Sequence, residues 1–367
     1  MHIPFLRPHI TDADIKNMVR SVKTGWLVCG PETTKFEEKL ARYLGVKDAV
    51  MMNSATSALH IALILAGVEE GDEVITTPLS YVATSNVILH QHAKAVFVDV
   101  DPQTGLMDLT KIEKYITKKT KAIIPVHLYG QMIDMVKLNK IALKYKLHII
   151  EDAAHAIESE RDGIKAGQHS FAACFSFHAA KNITCGQGGA LVTNDLELAK
   201  RARRLRRDGV INKDNRRYMI DLGHKYDASD FQAALLLGQM DRIKTNHKAR
   251  QRVFYRYAQA FRKNGVGFPH YTSHLSHACH MFIILVEPSQ RDSFREELLK
   301  KGIETSIHYH PIHLEPFYKE TFGYKEGDYP NAEYISSRTI TLPTYPGLTT
   351  KEQDYIIKEV IRLSKNI

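Results

Sequence analysis

The stretch Ala173-Cys174-Phe175-Ser176-Phe177-His178-Ala179-Ala180-Lys181-Asn182-Ile183-Thr184-Cys185-Gly186-Gln187-Gly188-Gly189-Ala190-Leu191-Val192-Thr193 sets one apolar run against another across a lysine and a glycine-rich turn. Lysines favour open surface, so Lys181 at the end of an apolar run reads as standing on the floor of a cleft. Just upstream, Leu147-His148-Ile149-Ile150-Glu151-Asp152-Ala153-Ala154-His155 ends a second such run in a carboxylate followed by small residues. Further out, strand patterns are predicted at residues 73–76, 95–98 and 122–126, joining those at 148–150, 173–177 and 190–193. Between them Phe36, Leu40, Tyr43 and Leu44 recur at helical spacing, as do Leu59, Ala62, Leu63 and Ala66, and a third helical pattern covers about 134–145. Near-continuous apolar strands alternating with helices predict an α/β fold, a mainly parallel sheet between helices.

The pattern changes towards the C-terminus. From about 222 to 261 it predicts one or more long helices. After Pro269 it predicts a mixed segment with a strand at 280–286 and a terminal helix from about Lys351. The division expected is a large domain over 1–245 and a smaller C-terminal α+β domain over 246–367, which suits a chain of 367 residues at roughly 150 per domain. Apolar residues at 44% and charged residues at 25% exclude a disordered or coiled-coil chain. No apolar run approaches the ~20 residues that cross a bilayer, so no membrane partner is expected. Cys29, Cys174, Cys185 and Cys279 are far apart and form no CxxC pair, which argues against a disulfide framework or a thiolate zinc site. A cytoplasmic location is expected. The net charge of +9 favours anionic partners, among them phosphorylated small molecules.

Ligands of a doubly wound sheet gather beyond the C-terminal ends of its strands. Three points fall there. Asn53 and Ser54 precede an apolar helical run and read as a helix cap, and a helix N-terminus is a ready phosphate site. Asp152 ends one strand and Lys181 follows another. A lysine able to form a Schiff base, an aspartate able to hold a pyridinium proton and a helix N-terminus for a phosphate are together what pyridoxal phosphate requires.

These residues carry a resemblance to a known family. Together with Gly25-Trp26-Leu27, Gly30-Pro31, Gly71-Asp72-Glu73-Val74-Ile75-Thr76, Phe97-Val98-Asp99-Val100-Asp101-Pro102 and Ile124-Pro125-Val126-His127-Leu128-Tyr129-Gly130-Gln131, the chain resembles the DegT/DnrJ/EryC1/StrS sugar aminotransferases. Within them it looks most like the enzymes that aminate C4 of UDP-linked 4-keto sugars. The resemblance implies a fold-type-I pyridoxal-phosphate enzyme, with a pyridoxamine form during turnover. It makes Lys181 the cofactor lysine and Asp152 the partner of the pyridine nitrogen. Ser176, Ala55 and Thr56 would bind the cofactor phosphate, Tyr81 would lie against the ring face and His155 near the ring hydroxyl. In Gly223-His224-Lys225-Tyr226-Asp227, Lys225 would reach the neighbouring subunit's cofactor phosphate in a homodimer with shared sites. His178 and His308 would meet the substrate, a nucleotide-linked keto sugar, with L-glutamate as amino donor and 2-oxoglutarate as its product. The pathway would be that of a glycan, lipopolysaccharide or flagellin sugar. Sugar dehydratases on the same scaffold carry His at the lysine position, so Lys181 favours transamination. The same scaffold would also serve a C3-aminotransferase or a non-catalytic DNA-binding regulator, and the full cofactor set argues against the regulator.

Weaker signals take plainer readings. The basic run 200–207 has Ala202 and Leu205 at helical spacing and reads as the solvated face of a surface helix; no nucleic-acid partner is expected. His308-Tyr309-His310-Pro311-Ile312-His313 has metal-like spacing, but Pro311 breaks the helix such a site needs, and lining of the sugar pocket is expected instead. His274, His277 and His280 recur every third residue, which suits no single strand face, and receive no role. Cys185 reads as a small buried residue.

Overall fold

A computed structural model describes residues 1–271 and 277–365; His274 lies outside the described residues. Seven strands form the central sheet: β1 (Asp48–Met52), β2 (Glu73–Thr76), β3 (Lys94–Phe97), β4 (Thr120–Ile123), β5 (His148–Asp152), β6 (Ala172–Ser176) and β7 (Gly189–Thr193). Their order is β1-β7-β6-β5-β4-β2-β3, and only β7 runs against its neighbours. This is the mainly parallel sheet expected. Alternation along each strand splits the core in two. Helices α2 (Pro31–Leu44), α5 (Met135–Tyr145) and α7 (Asp230–Asp241) pack on the face that carries Met51, Ile123 and Phe175. Helices α3 (Ala55–Leu65), α4 (Ala83–His90) and α6 (Leu196–Leu205) cover the face that carries Val50, Ile124 and Cys174. A first helix, α1 (Asp12–Lys23), lies against α7, where buried Asp14 pairs with Arg242 at 2.5 Å.

Beyond the sheet, helix α8 (Ile243–Lys263) leads to a separate core. Val253, Phe254, Tyr257 and Phe261 of α8 pack there with the antiparallel strands β10 (Phe282–Leu285) and β11 (Thr339–Leu342), with α9 (Arg291–Lys300) and α12 (Thr350–Ser364), and with Ile3 of the N-terminal segment. Short helices α10 (Pro316–Phe322) and α11 (Pro330–Arg338) complete this region. Position 245 falls in the first turn of α8.

Two expectations are corrected. Residues 222–229 are not helical: they run as a strap bridged to Arg207 at Lys225, because their Gly, His and Asp residues offer no apolar stripe for the sheet. The basic run is also more than a solvated face. Arg203 forks onto Glu37 and Asp48, Arg206 is buried against Glu37 and the Met51 carbonyl, and Arg204 pairs with Asp221. Arg203, bidentate on Asp48, and Arg206 tie the end of α6 to α2 and β1, while Arg204 ties it to Asp221. An unanticipated hairpin, β8 (Val210–Lys213) with β9 (Arg216–Met219), projects into solvent.

Candidate functional site

The C-terminal ends of β1, β5 and β6 and the N-terminal end of β7 meet at one sheet edge. Above it lies a cavity of about 390 Å³. Of the residues predicted for the site, Ala55, Thr56, Tyr81, Asp152, His155, Ser176, His178, Lys181 and His308 all line it. Lys225 does not. Its ammonium is exposed and pairs with Asp227 at 3.0 Å and Asp208 at 3.5 Å.

Each lining group is placed by local chemistry. Ser54 caps α3 by accepting from the Ser57 N–H at 3.0 Å, and the Ser57 hydroxyl donates to Asn53 at 2.5 Å. The N–H groups of Ala55 and Thr56, in the first turn, are left without partners inside the helix. Gly189 lets β7 pass directly beneath this turn: a Cβ there would lie 2.3 Å from the Ala55 nitrogen. At Gly188 a Cβ would lie 2.5 Å from the sulfur of Cys185, which is buried as expected. Gly189 thus allows a close approach of strand and helix end, and Gly188 borders the cavity.

Asp152 stands at the end of β5 and is buried. Thr84 donates its hydroxyl to one carboxyl oxygen at 2.7 Å, and the Ala154 N–H donates to the other at 3.1 Å. Since the Thr84 proton is committed to Asp152, Ser80 donates to Thr84 at 2.9 Å. Lys181 follows β6 and its turn, its own N–H bonded to the His178 carbonyl. Burial lowers its pKa to about 8, against the opposing pull of Asp152. A desolvated lysine of this kind keeps roughly a tenth of its amine free at pH 7, against well under a thousandth for an ordinary one.

His308 accepts or donates to Thr341 at 2.8 Å, stacks on Phe5, and is held neutral by burial, its pKa lowered to about 3. His310 and His313 do not line the cavity; they pair with Glu315 and Glu333. His280, given no role from sequence, is held through Asn182, whose amide oxygen receives the His280 Nδ1–H at 2.9 Å. Its ring packs on that of His155 at 4.6 Å.

Sequence reasoning misses Thr84 and Ser80 as site residues; of the 308–313 segment expected to line the pocket, His308 and Tyr309 do so. Thr84 lies three residues after Tyr81, one helical turn on, so the aromatic at Tyr81 is a signal that α4 opens on the cavity.

A model of the DegT/DnrJ/EryC1/StrS aminotransferase family matches residues 8–361. The spore coat polysaccharide biosynthesis protein SpsC of Bacillus subtilis is 36% identical, over 98% of this chain and 96% of its own. Among solved structures, the putative sugar aminotransferase Spr1654 of Streptococcus pneumoniae in its PMP form superposes with a TM-score of 0.96 at 31% identity, covering 100% of this chain and 98% of that one. PseC of Helicobacter pylori, an aminotransferase of pseudoaminic acid biosynthesis, gives a TM-score of 0.95 at 30% identity, with both chains covered in full. With lysine, aspartate and helix end gathered in one cavity, these matches show that the chain belongs to the DegT/DnrJ/EryC1/StrS aminotransferase family.

Proposed function

We propose that this protein is a pyridoxal-phosphate aminotransferase that moves an amino group from L-glutamate to C4 of a nucleotide-linked 4-keto-6-deoxy sugar, a UDP-sugar, leaving 2-oxoglutarate. The observation that carries the reading is the convergence of Lys181, Asp152 and the first turn of α3 in one cavity. The residues fit the cofactor: Ala55 and Thr56, whose N–H groups have no partner inside the helix, line the cavity together with Ser176 and suit a phosphate there.

When bound, pyridoxal phosphate supplies an electron sink that lets the amino-bearing carbon give up its proton. Lys181 would hold the cofactor and, as a free amine, would take up that proton as base and return it as acid. The Asp152 carboxyl, steadied by Thr84 and Ala154, would accept the pyridine N–H. The Tyr81 ring would lie against the cofactor ring, and His178 and His308, which line the same cavity, would meet the sugar. Lys225, outside this cavity, serves the phosphate of a second copy's site. The exposed apolar residues Trp26, Leu27, Val28, Met219, Ile220 and Leu222 support a homodimer that covers them. The small domain is taken to begin at 246. The four free cysteines suit a reducing cytoplasm, and the names of SpsC and PseC support a glycan or surface-polysaccharide pathway.

The test supplies ¹⁵N-labelled L-glutamate, pyridoxal phosphate and a UDP-linked 4-keto-6-deoxy sugar, and reads the product by NMR. Nitrogen on C4 is expected. Label on C3 would reassign the regiochemistry, and loss of a hydroxyl without gain of nitrogen would make the protein a dehydratase.

A further inference from the structure

Glu158, beyond β5, is a buried carboxylate that the chemistry above does not use. Such a group is costly unless hydrogen bonds hold it. Here one donor is the side-chain amide of Asn182, the residue next to Lys181. Its Nδ2 donates to Glu158 at 2.7 Å and to the Ala278 carbonyl at 3.0 Å. A carbonyl can only accept, so the amide nitrogen faces Ala278 and the amide oxygen is turned to His280. That oxygen receives the His280 Nδ1–H at 2.9 Å, and the His280 ring packs on His155 at the cavity wall. Both amide hydrogens and the oxygen of Asn182 are thus spent on two distant stretches of chain. The second of these is itself fixed to the sheet end, since the Ala278 N–H donates to the Gly130 carbonyl at 2.9 Å, and Met281 lines the cavity.

The turn that carries Lys181 is fastened at both ends. At the far end Gln239 of α7 accepts the Thr184 N–H at 2.9 Å and donates to the Thr184 carbonyl at 2.7 Å. At the near end the Lys181 N–H bonds within the turn, to the His178 carbonyl at 2.9 Å, and Asn182 makes the link outward. We propose that Asn182 is a positioning residue for Lys181, anchored on Glu158 and on the 278–280 segment, and that it fixes the backbone from which the lysine reaches the cavity. This rests on the pyridoxal-phosphate reading above. The groups that face the lysine amine are Asp152, His155, His178, His280 and His308, and those that face Glu158 are His247 and Arg250. Burial lowers the four imidazoles around the lysine, so they stay neutral while the amine titrates.

The experiment labels the apoprotein with a trace of acetic anhydride over a range of pH and reads acetylation of Lys181 by peptide mass spectrometry, with urea unfolding as a fold check. The wild-type amine is expected to titrate at about 8. Asn182→Ala should raise that midpoint by on the order of one pH unit, because the freed turn returns the ammonium to water. In the cofactor-loaded protein it should also slow the half-reaction with saturating L-glutamate by about tenfold to a hundredfold. Gln239→Ala, which cuts two bonds at the far end of the same turn, should lower the urea midpoint yet leave the Lys181 midpoint close to wild type. Glu158→Gln, whose amide oxygen still accepts from Asn182, should stay near wild type in both labelling and rate. An Asn182→Ala midpoint equal to wild type would overturn the proposal, as would a Gln239→Ala shift as large, since general loosening would then explain both. A folded Glu158→Gln protein as displaced as Asn182→Ala would also overturn it; if that variant does not fold, the other two decide alone. Pyridoxal phosphate should protect wild-type Lys181 from the reagent. Absence of protection would instead remove the pyridoxal-phosphate reading itself, and this inference with it.

Discussion

Two histidine sites at the end of β5 are wired alike and end differently. His127 accepts the Ile133 N–H on Nδ1 at 3.3 Å and donates through Nε2 to Glu151 at 2.6 Å. His155 accepts the Tyr129 N–H on Nδ1 at 3.3 Å and donates through Nε2 to Tyr309 at 3.1 Å. The first site is closed. Glu151 is 1% exposed and also receives the Gly167 N–H at 2.7 Å and the Ser170 hydroxyl at 2.5 Å, so its donors come from three directions. The second is open: Tyr309 and the neighbouring carboxyl of Asp152 both border the cavity with capacity to spare. Alternation along one strand thus sends adjacent carboxylates to opposite fates. A saturated buried network holds the fold, whereas one left short of partners at a cavity wall is available for chemistry.

Substitutions can break this contrast from either side. Lys181→Ala should abolish transamination altogether, with the unfolding transition in urea within about 1 kcal/mol of wild type. Asp152→Asn should cost on the order of 10³-fold in kcat, since the amide cannot hold the pyridine proton, again with little change in stability. A matching loss of stability would make Asp152 a structural residue like its neighbour. Glu151→Ala should do the reverse. It strands His127, Ser170 and Gly167 and should cost about 3–5 kcal/mol in denaturant unfolding, while the fraction that remains folded still takes up cofactor.

Smaller effects sharpen the picture. Because the folded pKa of Lys181 lies at about 8, below the ordinary 10.5, its free amine appears as pH rises through 8. Capture of pyridoxal phosphate by the apoprotein should therefore speed up about tenfold from pH 7 to 9 and then level off. A rate still climbing at pH 10 would mean an ordinary exposed lysine. Thr84→Val, which removes one donor from Asp152, should weaken cofactor affinity only several-fold, about 1 kcal/mol by equilibrium dialysis.

Much of this is legible in sequence, for identifiable reasons. Strands β2 to β7 carry continuous apolar runs, and the residues that end them, Asp152 and Ser176, with Lys181 just beyond, fall at the ligand-binding edge by topology alone. The cap at Ser54 follows from its place before an apolar helix. β1 escapes such a reading because Asp48-Ala49-Val50-Met51-Met52 has few β-branched residues and gains its place by pairing with β7, 141 residues on from Asp48 to Gly189. The β8–β9 hairpin has no apolar alternation, and its one local signal is the turn Asp214-Asn215, with φ of 49° and 59°. The partnership of His155 with Tyr309 spans 154 residues. No local periodicity reports a contact of that kind; it arises only when the C-terminal segment folds over the sheet edge.

The central claim is that the open side of the strand end belongs to a lysine that binds pyridoxal phosphate. Reducing the loaded protein with borohydride and mapping its peptides by mass spectrometry tests this directly. A pyridoxyl group fixed on Lys181, and lost in Lys181→Ala, is the predicted result. A label spread over surface lysines, or none on the peptide that contains Lys181, would contradict it.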